Sequence, residues 1–180
     1  FITGVTAGPP GPPQNRRMGT LHLVRHGQAS FGAADYDQLS ALGERQCEAL
    51  GQHWREQGQT FEAVYIGSLR RHRQSMEAIA RGFGGNAGAP APAPFSNPVV
   101  WPGLNEYDPE ALVRAIHPGP LTPSRDPEAI KQHFRLLRDA LLAWMEGRSQ
   151  PKGMPPHAEF MQGVSSALDD IRTRHVGRPV

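Results

Sequence analysis

Short apolar runs that stop abruptly at charge or glycine, each followed by a stretch of helical periodicity, predict an α/β fold. The expected architecture is three-layer α/β/α around a mostly parallel sheet, because strands joined through helices lie parallel and need cover on both faces. Three runs carry the strand reading: TLHLV at 20–24, AVYI at 63–66 and PVVW at 98–101.

The first run feeds directly into Arg25, His26 and Gly27, as a buried strand entering a loop does. Ser40 is a ready N-cap for a helix over 41–57 with Leu42, Cys47, Leu50 and Trp54 on one face. After AVYI, Gly67 and Ser68 lead into a second helix whose apolar positions are Leu69, Met76, Ile79, Ala80 and Phe83. Residues 82–98 turn to Gly, Ala and Pro, the composition of an extended surface connection.

Beyond PVVW, a short helix is expected near 109–116. Asp126 and Pro127 then form a cap and first-turn pair opening a helix with Ile130, Phe134, Leu137, Leu141 and Met145 in step. A final helix over 157–175 uses Phe160, Val164, Leu168 and Ile171. The sequence closes on HVGRPV, which reads as the opening of a further strand, so the fold is expected to be truncated at its C-terminal end.

Composition narrows the function classes. The chain has 180 residues, 38% hydrophobic and 20% charged, which suits a domain with a packed core and excludes collagen, coiled coil and wholly disordered chains. The formal net charge of +2 owes itself to Arg16 and Arg17. Residues 1–17 start with Phe, carry Pro9, Pro10, Pro12 and Pro13, and lack the apolar stretch of a signal peptide. They are expected to be a disordered upstream segment that is not native, with the domain at 18–180 opening on Met18. Without them 17 basic face 17 acidic side chains, and the case for a nucleic-acid partner disappears. No apolar run approaches the roughly 20 residues of a membrane helix, so no membrane partner is expected. The single cysteine, Cys47, allows neither an internal disulfide nor a thiolate metal cluster, which points to a reducing cytoplasm.

The candidate chemistry gathers where strands end, the position at which ligands sit in doubly wound sheets. Arg25-His26-Gly27 follows the first strand; on its own it is equally consistent with an ordinary loop histidine. Arg70, Arg71 and Arg73 crowd the first turn of a helix just after the second strand, where the macrodipole disfavours cations. A bound anion would offset that, since helix-start N–H groups and a guanidinium fork suit phosphate oxygens. Glu106, in WPGLNE, follows the third strand. Three charged groups at three successive strand ends are best explained as one site.

With those residues in place, the sequence resembles the histidine phosphatase superfamily, which includes cofactor-dependent phosphoglycerate mutases and many phosphatases. The matching pieces are LVRHGQAS at 23–30, D-x-L-S-x-x-G at 37–43, L-x-R-x-x-Q-S at 69–75 and LNE at 104–106. The resemblance implies that His26 is the nucleophile that becomes phosphorylated. It makes Arg25 and Arg71 the phosphate clamps and Glu106 the proton donor to the leaving group. It implies catalysis by positioning and electrostatics, without metal or cofactor.

Three departures bear on the activity. The family's second catalytic histidine lies on a later strand, and neither His157 nor His175 fits its pattern. Gly32 stands where mutases often carry a phosphate-contacting Asn, leaving Ser30 as the candidate hydroxyl. The stretch after Glu106 lacks the glycines of mutases. A phosphomonoesterase acting on a phosphorylated small molecule is therefore expected, ahead of a mutase-type phosphotransferase or a phospholigand-binding relative with little turnover.

Rival motifs fail on context. Asp35-x-Asp37 imitates the aspartate pair of magnesium-dependent haloacid-dehalogenase phosphatases, yet a loop precedes it. Gly82-x-Gly84-x-x-Ala87 follows a helix and precedes prolines, so it is no dinucleotide fingerprint. His53 stands six residues after Cys47 where a cysteine phosphatase needs Arg, and the eight histidines show no metal-ligand spacing.

Overall fold

The computed structural model describes residues 2–6, 19–30, 37–85, 90–117, 119 and 126–175. The chain divides into two compact units, Phe1–Asn105 with Ser166–Val180, and Glu106–Ser165.

The first unit holds a four-stranded sheet in the order β2-β1-β3-β4, formed by β1 (Ile2–Thr6), β2 (Thr20–Val24), β3 (Ala63–Ile66) and β4 (Val99–Val100). β2, β3 and β4 run in the same direction, as the α/β reading requires, and β1 opposes them. Within the segment 1–17, expected to be disordered, residues 2–6 instead form β1. Its backbone pairs on both sides, Ile2 with Val24 of β2 and with Ile66 of β3, so it occupies the interior of the sheet. The physical reason is in the segment itself: Ile2, Thr3, Val5 and Thr6 are β-branched and favour an extended chain that satisfies its N–H and C=O groups on both neighbours. Residues 7–17 lie outside the described part.

Helices α1 (Ala41–Glu56) and α2 (Arg70–Gly84) follow β2 and β3. Ser40 caps α1 as its sequence predicts, its Oγ accepting from Gly43 N. α2 ends where Gly85 adopts the left-handed conformation, at φ 75°, that a side chain would resist. The two helices approach backbone to backbone: a Cβ on Gly51 would lie 2.0 Å from Ile79 O, and one on Gly82 2.0 Å from Glu48 O. The buried stripe of α1 is therefore Gly43, Cys47, Gly51 and Trp54, and Leu42, expected on that face, is exposed. Helix–helix closeness, invisible to an apolar count, moved the stripe.

Alternation along β3 divides the packing. Val64 and Ile66 join Cys47, Trp54, Met76 and Ile79 in one core, while Ala63 and Tyr65 join Leu104, Ala167 and Ile171 in another. Each fully buried aliphatic side chain there contributes about 1.5–3 kcal/mol. A 3-10 turn at Pro102–Leu104 follows β4.

In the second unit α3 (Pro109–Ile116) and α4 (Pro127–Met145) start on aspartate caps, Asp108 and Asp126, each with proline at the first helical position. Leu112, Val113, Ala140 and Trp144 form its core, with Phe160 of α5 (His157–His175) packed against them. Ile130, Phe134 and Met145, expected to be buried, are exposed; small residues, Ala140 and Ala143, take the buried face beside Trp144. Among the described residues, no helix is long and apolar enough to cross a membrane.

Candidate active site

β2 delivers the chain into a loop on which Arg25 is exposed and His26 and Gly27 are buried. The His26 ring is held by its own backbone: Nδ1 lies 2.5 Å from Gly27 O. A carbonyl oxygen only accepts, so Nδ1 carries the proton and the ring's lone pair is on Nε2.

Gly27 is required by approach rather than by a turn. A Cβ there would lie 2.4 Å from Gly43 O and 2.9 Å from Cys47 Sγ, while a Cβ on Gly43 would lie 2.2 Å from Gln28 O. The glycines of the two motifs thus face each other, which presses the His26 loop onto the first turn of α1. Gly27 N–H donates to Ser75 Oγ of α2 at 3.1 Å, fixing the loop from a second side. Burial raises the pKa of the adjacent Cys47 thiol; hydrogen bonds with Ser75 and Gly27 partly oppose that.

The chain then returns alongside itself. Ser30 N donates to Gln38 O and Ser40 N to Gln28 O, both at 2.9 Å, around a bridge between Ala29 and Leu39. Leu39 N donates to Gln74 Oε1 of α2 at 2.8 Å. Ser30 is half-buried on this ribbon, four residues from His26. Residues 31–36, including Gly32 and Asp35, lie outside the described part.

α2 begins without a side-chain cap of its own and without an acidic residue in its first turn. Asp37 supplies both. Its Oδ2 accepts from Arg70 N at 2.9 Å, and its Oδ1 from Arg71 N at 3.3 Å and from Arg71 Nη1 at 2.9 Å. The anion that the arginine-rich first turn calls for is thus a carboxylate of the chain itself, where the sequence reading expected a bound ligand on these N–H groups. Arg71 is buried, in contrast to the exposed Arg70 and Arg73 on either side of it. His72, wholly buried, places its ring centroid 6.0 Å from that of His26, so the first turn of α2 packs beside the His26 loop.

The loop after β3 is tied to the loop after β4 by a reciprocal pair: Ser68 N donates to Asn105 Oδ1 at 2.7 Å and Asn105 Nδ2 to Ser68 Oγ at 2.8 Å. Glu106 follows Asn105 directly, is half-buried, and opens the second unit. Of the residues singled out in the sequence, His26, Arg25 and Ser30 share one loop, and Arg71 stands on the helix turn packed against it.

Asp37, Gln74, Ser75 and Asn105, which residue type alone does not single out, make these ties, and each lies within one of the motifs at 37–43, 69–75 and 104–106. For Asp37 a signal existed: a helix start carrying three arginines and no acid must find its counter-charge elsewhere. Among the described residues, no group of three or more His, Cys, Asp or Glu side chains could hold a metal ion.

A protein-family model described as the histidine phosphatase superfamily (branch 1) matches residues 21–180. Searches of curated proteins and of solved structures returned no significant match.

Proposed function

Since the chain belongs to the histidine phosphatase superfamily, a group of phosphatase-like and mutase-like enzymes, we propose that it hydrolyses a phosphomonoester of a small molecule through a phosphohistidine on His26. The observation that carries the reading is the hydrogen bond from His26 Nδ1 to Gly27 O. It selects the tautomer in which Nε2 is the nucleophile, in a ring packed beside the turn that bears Arg71.

In the first half-reaction Nε2 forms a bond to phosphorus while the ester P–O bond breaks, and the leaving oxygen takes a proton from the Glu106 carboxylic acid. Water then attacks phosphorus, the N–P bond breaks, and the Glu106 carboxylate accepts the water's proton. His26 regains its neutral form. Arg71 and Arg25 donate to the phosphoryl oxygens throughout, with Ser30 Oγ as a further donor, so the protein's contribution is alignment and charge compensation. Hydrolysis is favoured over mutase chemistry by the departures after Glu106 and at Gly32.

The test is release of nitrophenol from p-nitrophenyl phosphate. Wild type should turn over, and His26→Ala should lose about a thousandfold or more in kcat/KM. Retention of the rate within about tenfold in His26→Ala would remove the nucleophile assignment. Phosphate binding in a calorimeter without any nitrophenol release would place the protein with ligand-binding relatives instead.

A further inference from the structure

We propose that Asp37 is a positioning residue for the phosphate clamp: it holds Arg71, and with it the first turn of α2, in register with the loop that carries His26. The proposal rests on the functional reading above.

Arg71 is a buried cation, its side chain only 7% exposed, and a charge so placed needs a partner of opposite sign. Asp37 grips it at both ends. One oxygen, Oδ1, accepts from the Arg71 backbone N–H and from its Nη1, which closes the side chain into a ring and fixes its rotamer. The other, Oδ2, accepts from Arg70 N. The macrodipole of α2 adds to the attraction.

Asp37 is anchored in turn to the nucleophile's loop. The residue after it accepts from Ser30 N, Leu39 bridges Ala29, and Ser40 N binds Gln28 O. Leu39 N reaches α2 a second time, at Gln74, one turn beyond Arg71. Residues 37–40 therefore form a bracket with one side on the His26 loop and two points on α2. A long arginine side chain left loose would have to be ordered each time substrate binds. Here the ordering is completed by folding.

The experiment uses the full 180-residue chain and four variants: Asp37→Ala, Asp37→Asn, Arg71→Ala and the Asp37→Ala/Arg71→Ala double. For each, kcat and KM with p-nitrophenyl phosphate, Ki for inorganic phosphate and the thermal midpoint are measured. Asp37→Ala should raise KM and Ki about tenfold, the effect of losing one charged hydrogen-bond partner, with a smaller change in kcat. Asp37→Asn keeps an acceptor for the backbone but not the charge, and should fall between. In the Arg71→Ala background, loss of Asp37 should add less than about threefold, because the group it positions is gone.

Equal losses from Asp37→Ala with and without Arg71 would mark a merely structural residue and overturn the proposal. So would wild-type KM and Ki in Asp37→Ala while Arg71→Ala is impaired. If Asp37→Ala does not fold, the same cycle run with Asp37→Asn decides between these outcomes. If Arg71→Ala leaves KM and Ki unchanged, or if the wild type neither binds nor hydrolyses phosphate esters, the functional reading fails and this proposal falls with it.

Discussion

Two polar clusters in the first unit, one beneath α5 and one at the ends of β2 and β3, use similar residues to opposite purposes. Beneath α5, the buried Tyr65 hydroxyl lies 3.1 Å from Asp170 Oδ2 and 3.0 Å from His175 Nε2. His175 Nδ1 lies 2.9 Å from Glu62 Oε1, and Arg174 Nε donates to Asp170 Oδ1 at 2.7 Å. Burial, reinforced by Asp170, pushes the Tyr65 pKa up to about 12. Such a shift suits a group that keeps its proton at all working pH values, and the cluster ties the end of α5 to β3. At the strand ends, the backbone sets the tautomer of His26 and an internal carboxylate sets the pose of Arg71. A large pKa shift marks a strong environment, which a structural tie produces as readily as a reaction centre does. The chemistry proposed above is assigned instead to the strand ends, where His26 and Arg71 are each held in one pose.

That contrast predicts which substitutions change activity and which change only stability. Arg71→Ala should cost about 10²–10³ in kcat/KM, the usual effect of losing an oxyanion donor, whereas Arg73→Ala, two residues on and exposed, should stay within a few-fold. Equal losses in steady-state kinetics would dissolve the distinction between the arginines. Gly51→Ala forces α1 away from the Ile79 carbonyl and should lower unfolding free energy by about 1–3 kcal/mol in urea titration, with KM little changed.

Tyr65→Phe should cost about 1 kcal/mol of stability and leave p-nitrophenyl phosphate hydrolysis at the wild-type rate. Its signature is a pH slope. The folded chain keeps the phenol proton that the unfolded chain releases near pH 10, so this stabilisation is complete below pH 10 and lost as pH rises towards 12. Thermal melts across that window should fall more steeply for wild type than for Tyr65→Phe. Arg174→Ala removes a partner whose side chain is 61% exposed and should change stability by no more than about 0.5 kcal/mol.

Most of this architecture was legible because its signals are local. Ser40, Asp126 with Pro127, and the runs at 20–24 and 63–66 each announce an element within a few residues, and the elements lie where those signals put them. β1 is hard to see in the sequence because the prolines at 9–13 mask a segment whose first residues are strand formers, and one of its two partners, β3, is distant in sequence. The buried faces of α1 and α4 were displaced towards Gly and Ala, residues that an apolar stripe does not count but close helix packing favours. At the site, His26 and Arg71 stood out by residue type and spacing. Asp37 did not, because a counter-charge supplied across 34 residues of sequence leaves only its absence from the helix start as a trace.

The claim most open to direct test is that Nε2 of His26 carries the phosphoryl group during turnover. A brief pulse of labelled phosphate ester, quenched and digested, should leave acid-labile, base-stable label on the peptide containing His26 in wild type and none in His26→Ala. Label that persists in His26→Ala, or that maps to His72 or His175, would contradict it.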